Sequence, residues 1–364
     1  MTDMQERFQR LLDAVVAEGH ECGLQVAVYR DGQLVVDAWA GVADSASGRP
    51  VDGETLFPVF SVSKGIAATV MHLLVERGLV NYDTRVAEVW PEFVGQGKAA
   101  TTLRHVLAHT AGLPFMPEEI SYTEMSDWTT MCALLAHMTP DTPPGSCWNY
   151  HALTYGWLVG EIARRVSGRT FGELLAEEIC RPLGLDSLFI GIPDTVASRV
   201  AILEDAVGAT TPLEVPGPRG IPAWMEPLTL MMNRPDTRRA CLPSATGIMS
   251  ARALARMYAA LLPGGVDGIE LLPPARVHEA TREQALDSGP HAGTPVGMGL
   301  GYQLLPNLGG ASTPTPGFGH GGHGGANGFA DPNHRLAVGF TKTRCTVDNV
   351  ALERVLAALY TEGD

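Results

Sequence analysis

Thr55-Leu56-Phe57-Pro58-Val59-Phe60-Ser61-Val62-Ser63-Lys64 is the stretch on which the reading of this chain turns. An apolar, extended run ends at Ser61. From Lys64 to Arg77 the pattern changes: Ile66, Val70, Met71 and Leu74 fall on one helical stripe, and Gly78 supplies a stop. Three residues make about one helical turn, so Ser61 and Lys64 project from the same side. A serine at a helix start also meets unpaired backbone N–H groups, which favour developing negative charge. Its hydroxyl is a weak nucleophile until a neighbour accepts the proton. A buried Lys64 would be that neighbour, or would hold a second base in its ionised form. Ser-x-x-Lys is common at surface helix starts, so the weight comes from context. Here the lysine lies between Ser63 and a markedly apolar helix.

Two further clusters carry chemistry. Pro144-Gly-Ser-Cys-Trp-Asn-Tyr150-His-Ala-Leu-Thr-Tyr-Gly156 is a Pro/Gly loop running into an apolar helix. A tyrosine at such a junction is ordinarily a packing residue. Beside a Ser-Lys pair, Tyr150 reads instead as general base and then acid, its pKa of about 10 lowered by the Lys64 ammonium. The other cluster is Phe318-Gly319-His320-Gly321-Gly322-His323-Gly324-Gly325-Ala326-Asn327. Its glycines let backbone approach a ligand closely, and a backbone N–H there would help to form an oxyanion hole. Gly319 to Gly324 also spell G-x-G-x-x-G. Strand-like residues follow rather than a helix, so no dinucleotide-binding unit is expected.

These three clusters, in this order, resemble the serine β-lactamase and penicillin-recognising superfamily, with the nearest likeness to class C β-lactamase-like proteins and family VIII carboxylesterases. Thr102-Leu-Arg-His-Val-Leu-Ala-His-Thr-Ala-Gly-Leu-Pro114, Leu242-Pro-Ser-Ala-Thr-Gly-Ile248 and Gly299-Leu-Gly-Tyr302 look like further landmarks of that group. The resemblance implies Ser61 as nucleophile, Lys64 as its helper and Tyr150 as base. It places His320-Gly321-Gly322 where many relatives carry Lys-Thr-Gly, as substrate-binding residues. The backbone N–H groups of Ser61 and His323 then form the oxyanion hole. It implies no cofactor and no metal. Two departures matter: Ala152 stands where Tyr-x-Asn has its carboxamide, and His320 replaces a lysine. A histidine is mostly uncharged at neutral pH, which weakens recognition of a substrate carboxylate. Both shift the expectation from β-lactam to ester hydrolysis through an acyl-enzyme, with acyl transfer to an alcohol or amine as the alternative. A β-lactamase, a D-amino-acid peptidase and a catalytically dead scaffold are weaker rivals.

The fold implied is α+β, β-lactamase/transpeptidase-like: an antiparallel sheet flanked by helices, with a mainly helical insertion and the active site in the cleft. Residue pattern agrees in outline. An amphipathic helix opens the chain at Met4, Phe8, Leu11, Leu12, Val15 and Val16. Strands Leu24–Tyr29 and Leu34–Ala40 join through Arg30-Asp31-Gly32. Further strands are expected at Gly299–Leu305, Gly317–His320, Asn327–Ala330 and Leu336–Lys342, and a last helix at Val347–Tyr360. Residues 1–80 and 245–364 would form one lobe and 81–244 the other. Leu203 to Leu242, rich in Pro and Met, reads as an active-site wall. Trp148, Trp157, Trp224, Met231 and Met232 are candidates for an apolar pocket, though core packing suits each singly.

Composition excludes other classes. With 26 basic and 40 acidic residues, net charge −14, and no Lys/Arg run, neither nucleic acid nor an anionic membrane is an expected partner; a small acyl substrate is. Oligomeric state leaves no trace in the sequence. The six scattered cysteines read as buried free thiols, and Met1-Thr-Asp-Met lacks the start of a signal peptide, so a soluble cytoplasmic protein is expected. His105 and His109 have metal-ligand spacing, but no Glu occupies position 106, so a structural role is expected. There is no G-x-S-x-G. Lys342-Thr343-Arg344 lacks the glycine of Lys-Thr-Gly and reads as ordinary strand.

Overall fold

The computed structural model describes residues 3–117, 119–206, 219–284, 287–289, 297–305, 317–346 and 348–360. Met1, residues 207–218 of the Pro/Met-rich stretch and Val347, the expected start of the last helix, lie outside the described residues. Helix α1 (Asp3–Ala17) is followed by strands β1 (Gly23–Arg30), β2 (Gln33–Asp44), β3 (Arg49–Pro50) and β4 (Phe57–Phe60). Helix α2 (Val62–Glu76) comes next. The later strands are β5 (Leu188–Ile190), β6 (Glu204–Asp205), β7 (Gly247–Met249), β8 (Gln303–Leu305), β9 (Gly317–Gly321), β10 (Asn327–Asp331), β11 (Leu336–Lys342) and β12 (Arg344–Cys345).

Seven strands form the main sheet in the order β3-β2-β1-β11-β10-β9-β8. Its centre is the antiparallel pair β1 and β11, which puts Val26 opposite Phe340 and Val28 opposite Val338. The two ends of the chain thus meet in mid-sheet. The β1–β2 turn has Asp31 and Gly32 both at positive φ, 52° and 74°, as a tight hairpin demands. Strand alternation then sorts the side chains. Val26 and Val28 face Phe8 and Leu12 of α1 and Val355 of the terminal helix, Val350–Tyr360. Ala27 and Tyr29 face the other core, which holds Ile66 and Val70 of α2 and Leu254 of the helix Ala251–Ala259.

Every residue of α2 from Val62 to Val75 is buried. A helix buried on every side belongs at the centre of a large core, and there it stands between the main sheet and the helix Thr154–Ser167. Two small sheets absent from the sequence reading complete the frame: β4-β7-β5 and β12-β6. Among the described residues no helix is long and apolar enough to cross a membrane. All six cysteines are free, but only Cys132 and Cys345 are buried; the other four are partly exposed, which corrects the expectation of uniformly buried thiols.

Gly65, next to the lysine, is required by packing. A Cβ there would lie 2.2 Å from Tyr258 Oη. Gly65→Ala is expected to lower stability by about 1–3 kcal/mol through overpacking. Adding Tyr258→Phe, which removes the clashing oxygen, should recover part of the loss in a thermal melt. Equal melting temperatures for wild type and Gly65→Ala would overturn this.

Candidate active site

The nucleophile candidate sits on a sharp turn. β4 ends at Phe60, which has φ 49°, a left-handed conformation unusual for a bulky residue. The chain therefore swings from strand to helix within one residue, and Ser61 stands at the N-terminus of α2. Ser63 braces this turn: its Oγ donates to Phe60 O at 2.5 Å and accepts from Gly247 N–H at 2.9 Å.

Lys64 has no exposed surface. Its Nζ lies 3.1 Å from Ser61 Oγ, 2.8 Å from Ala152 O and 2.9 Å from Ser244 O. The two carbonyls can only accept. Burial drives the amine well below its ordinary pKa, towards the free base. Nζ directs its hydrogens at both carbonyls and at Ser61 Oγ, so loss of one hydrogen leaves a lone pair facing the serine hydroxyl.

Tyr150 hydrogen-bonds to Ser61 through its hydroxyl, and Lys64 Nζ is 4.8 Å from its ring centroid. The three sequence-singled groups thus converge. The expectation that Lys64 lowers the phenol is not met: burial pushes it up, and the Ser61 hydrogen bond only partly offsets this. Burial thus disfavours the charged form of both groups.

Tyr150 is held by the segment that the sequence reading noted without a role. Asn149 N–H donates to His109 O at 3.1 Å, and His151 N–H donates to His109 Nδ1 at 3.1 Å. Leu113 N–H donates to His151 Nε2 at 3.0 Å, and Thr154 Oγ1 donates to Leu113 O at 2.7 Å. Residues 109–113 and 149–154 are zipped together, with the His109 ring 4.8 Å from that of Tyr150. His105 works elsewhere: its Nδ1 accepts from Thr102 N–H at 3.2 Å in a helix cap. The two histidines therefore answer to different neighbours, and among the described residues no three His, Cys, Asp or Glu side chains could share a metal ion.

Ser61, Tyr150, Gly321, Gly322 and His323 line one cavity of about 470 Å³. β9 is brought to it by close backbone contact, since a Cβ on Gly322 would lie 2.1 Å from Val59 O. His323 packs edge-on against Phe60, ring centroids 5.2 Å apart. His320 differs: it has no exposed surface and stands behind the wall formed by Gly321 and Gly322. Burial, then the Lys64 charge, pushes its pKa down to about 3. The remaining lining is largely apolar and includes Met125, Ile221, Met225, Leu228 and Met231. Residues 221–242 supply much of this wall. Of the aromatic and methionine candidates, Trp148, Met231 and Met232 line the cavity, Trp157 is core, and Trp224 is 42% exposed and off the cavity. Sequence reasoning missed Phe60, Ser244 and Gln303; the last accepts from Gly321 N–H at 2.9 Å. Ser244 had a signal in the Leu242–Ile248 landmark, whereas Gln303 had none.

Comparison with known proteins agrees with this geometry. The beta-lactamase family profile matches residues 8–360. The chain is 37% identical over 337 residues to the esterase/beta-lactamase LipL of Mycobacterium tuberculosis, covering 88% of this chain and 77% of that protein. The crystal structure of a family VIII carboxylesterase superposes with a TM-score of 0.88 at 30% identity, covering 99% of this chain and 97% of that one. A penicillin-binding protein homologue from Caulobacter crescentus gives 0.85 at 36% identity, covering 98% and 96%.

Four buried histidines make a pH prediction. His72 and His320 are pushed down to about 3 and His151 to about 4, chiefly by burial, and His109 well below its usual value. In the unfolded chain each titrates near ~6.5. Below that pH the unfolded state takes up protons that the folded state refuses, so stability is full above ~6.5 and falls on acidification towards ~4, by at most ~1.4 kcal/mol per pH unit per histidine. Thermal melts at pH 7, 6 and 5 should show a falling Tm. A constant Tm over that window would contradict the buried, neutral assignment.

Proposed function

The chain belongs to the beta-lactamase family, and from that premise we propose that it hydrolyses carboxylic esters through an acyl-enzyme on Ser61. The observation that carries this reading is the 3.1 Å contact between Ser61 Oγ and a buried, carbonyl-tethered Lys64 amine. As Ser61 Oγ attacks the ester carbonyl, its proton passes to the Lys64 lone pair. The carbonyl oxygen becomes an oxyanion, met by the backbone N–H groups of Ser61 and His323 at the head of α2 and the glycine-rich turn. Tyr150 gives its hydroxyl proton to the leaving alkoxide, and the Lys64 ammonium beside its ring restores it. Water then attacks the acyl carbon, the Lys64–Tyr150 pair takes its proton, and Ser61 Oγ leaves with a proton returned from that pair.

The lining favours an apolar acyl group. Among the described residues no Lys or Arg lines the cavity, and His320 is buried and uncharged. That is poor ground for the carboxylate of a β-lactam and good ground for a neutral ester. The same apolar lining suits an organic alcohol as acceptor, so acyl transfer is the second reading. Offering both water and an alcohol and measuring the product ratio separates the two. Six unpaired cysteines fit a reducing compartment, and we place the enzyme in the cytoplasm.

Ser61→Ala is expected to reduce kcat/KM by about 10³-fold or more, as removal of a covalent route does. Intact-mass analysis should find the adduct in the wild type and none in the variant. Near-normal turnover by Ser61→Ala would end the proposal. Across p-nitrophenyl esters, butyrate and hexanoate should be turned over faster than acetate; a preference for acetate would contradict the acyl-cavity assignment.

A further inference from the structure

The glycine-rich turn that carries His323 is held from behind by side chains outside the cavity lining. Gly322 N–H donates to Ala326 O at 2.8 Å, and Gly325 N–H donates to Gly322 O at 3.1 Å, closing the turn 322–326. The Gly322 carbonyl and the His323 N–H belong to one planar trans peptide and point in opposite directions. Whatever fixes Gly322 O therefore fixes the aim of His323 N–H. That carbonyl depends on Gly325. Gly324 and Gly325 have φ 79° and 107°, in a region that only glycine visits freely. The backbone of the turn thus supplies little stiffness of its own, and the rest has to come from its neighbours.

Asn349 is the neighbour placed to supply it: its Nδ2 donates to Gly325 O at 2.7 Å. Lys342, the last residue of β11, reaches Glu21 Oε1 at 2.5 Å, Thr346 Oγ1 at 2.8 Å and Asn349 Oδ1 at 3.5 Å. Three acceptors meet the three hydrogens of an ammonium. The side chains of Lys342 and Glu21 are each 2% exposed, so the pair is anchored inside the protein. The same contacts set the Asn349 amide. Turned over, its oxygen would face Gly325 O and its NH2 the ammonium. Beside it, Thr346 N–H approaches Gly324 O at 3.4 Å, and a Cβ on Gly324 would lie 2.4 Å from Cys345 Sγ. We propose that Asn349 is a positioning residue for the oxyanion hole: by holding Gly325 O, with the buried Lys342–Glu21 pair as its anchor, it aims the His323 N–H at the carbonyl oxygen of the substrate. No proton moves along this chain of contacts. Lys342 thereby serves the site from behind, not from within the cavity. The assignment rests on Ser61 as nucleophile and His323 N–H as oxyanion donor.

The test uses the full chain with Asn349→Ala and Asn349→Asp. The aspartate keeps the size and the Lys342 contact but cannot donate to Gly325 O. With a p-nitrophenyl ester, both variants should lose about tenfold in kcat/KM, carried by kcat with KM little changed; deleting an oxyanion donor outright costs ~10²-fold or more. An alkyl trifluoromethyl ketone, whose adduct on Ser61 puts an anionic oxygen in the same place, should bind more weakly by the same factor. Lys342→Met should show a smaller loss in both readouts, and almost none when added to Asn349→Ala, because it acts through the amide. If Lys342→Met does not fold, Glu21→Gln combined with Lys342→Met leaves no charge buried alone and takes its place. A wild-type rate in Asn349→Asp would overturn the inference. So would an unchanged ketone affinity beside a fallen kcat/KM, the mark of a merely structural loss. A raised KM with kcat unchanged would make Asn349 a substrate-binding residue, and additive losses with Lys342→Met would remove the anchor. Wild-type protein that takes no fluorophosphonate label at Ser61 would instead break the parent reading, which keeps the two failures apart.

Discussion

A single desolvated amine organises this protein. Lys64 has lost its water and gained two carbonyl oxygens, from Ala152 and Ser244, in exchange for bulk hydration. Among the described residues no carboxylate accepts its hydrogen bonds, and burial disfavours its positive charge. Burying an unpaired charge costs several kcal/mol, and an ionisable group escapes that cost by becoming neutral. The neutral amine is the form that can accept a serine proton. Burial and reactivity are therefore one requirement, met by placing α2 at the centre of the larger core.

The rest of the architecture serves that requirement. The carbonyl of residue 152 comes from the loop before the helix Thr154–Ser167, and that of residue 244 from the approach to β7. The lysine ties together three stretches far apart in the chain: 61–64, 150–152 and 244. Packing of those stretches onto α2 is what closes the amine off from solvent. The zipper between 109–113 and 149–154 keeps the phenol in register with the serine. The surrounding histidines follow the same logic, being held neutral by burial with neighbours that fix their tautomers. With neutral histidines around them, the oxyanion and the Lys64 ammonium formed with it would be the new charges in the site, and backbone N–H groups aimed at the oxyanion act without competing charge from those rings.

Much of this was legible in the sequence because local patterns dictated it. The strand-to-helix switch around Ser61, the Asp31-Gly32 hairpin, the periodic helices and the glycine-rich strand before His323 are all short-range features. Their order along the chain also carried the family resemblance, and the family profile spans residues 8–360. The boundaries of Gln303–Leu305 and Val350–Tyr360 came out shorter than the pattern suggested, since helix and strand ends depend on tertiary pairing. Of the small sheets β4-β7-β5 and β12-β6 only β4 had a sequence signal, the extended run before Ser61; its pairing did not, because partner strands of two or three residues have too little periodicity to register.

What the sequence determined by itself was the cast: a serine, a lysine one turn on, a tyrosine at a loop-helix junction, and glycines where backbone must come close. Those identities follow from spacing and side-chain chemistry. Only the tertiary structure decided the protonation of the cast and the work of its neighbours. Charge state depends on how much water each group has lost and which partners face it, and both come from segments distant in sequence. That is why the phenol rises where an ammonium was expected to lower it, and why His320 lies behind the cavity wall.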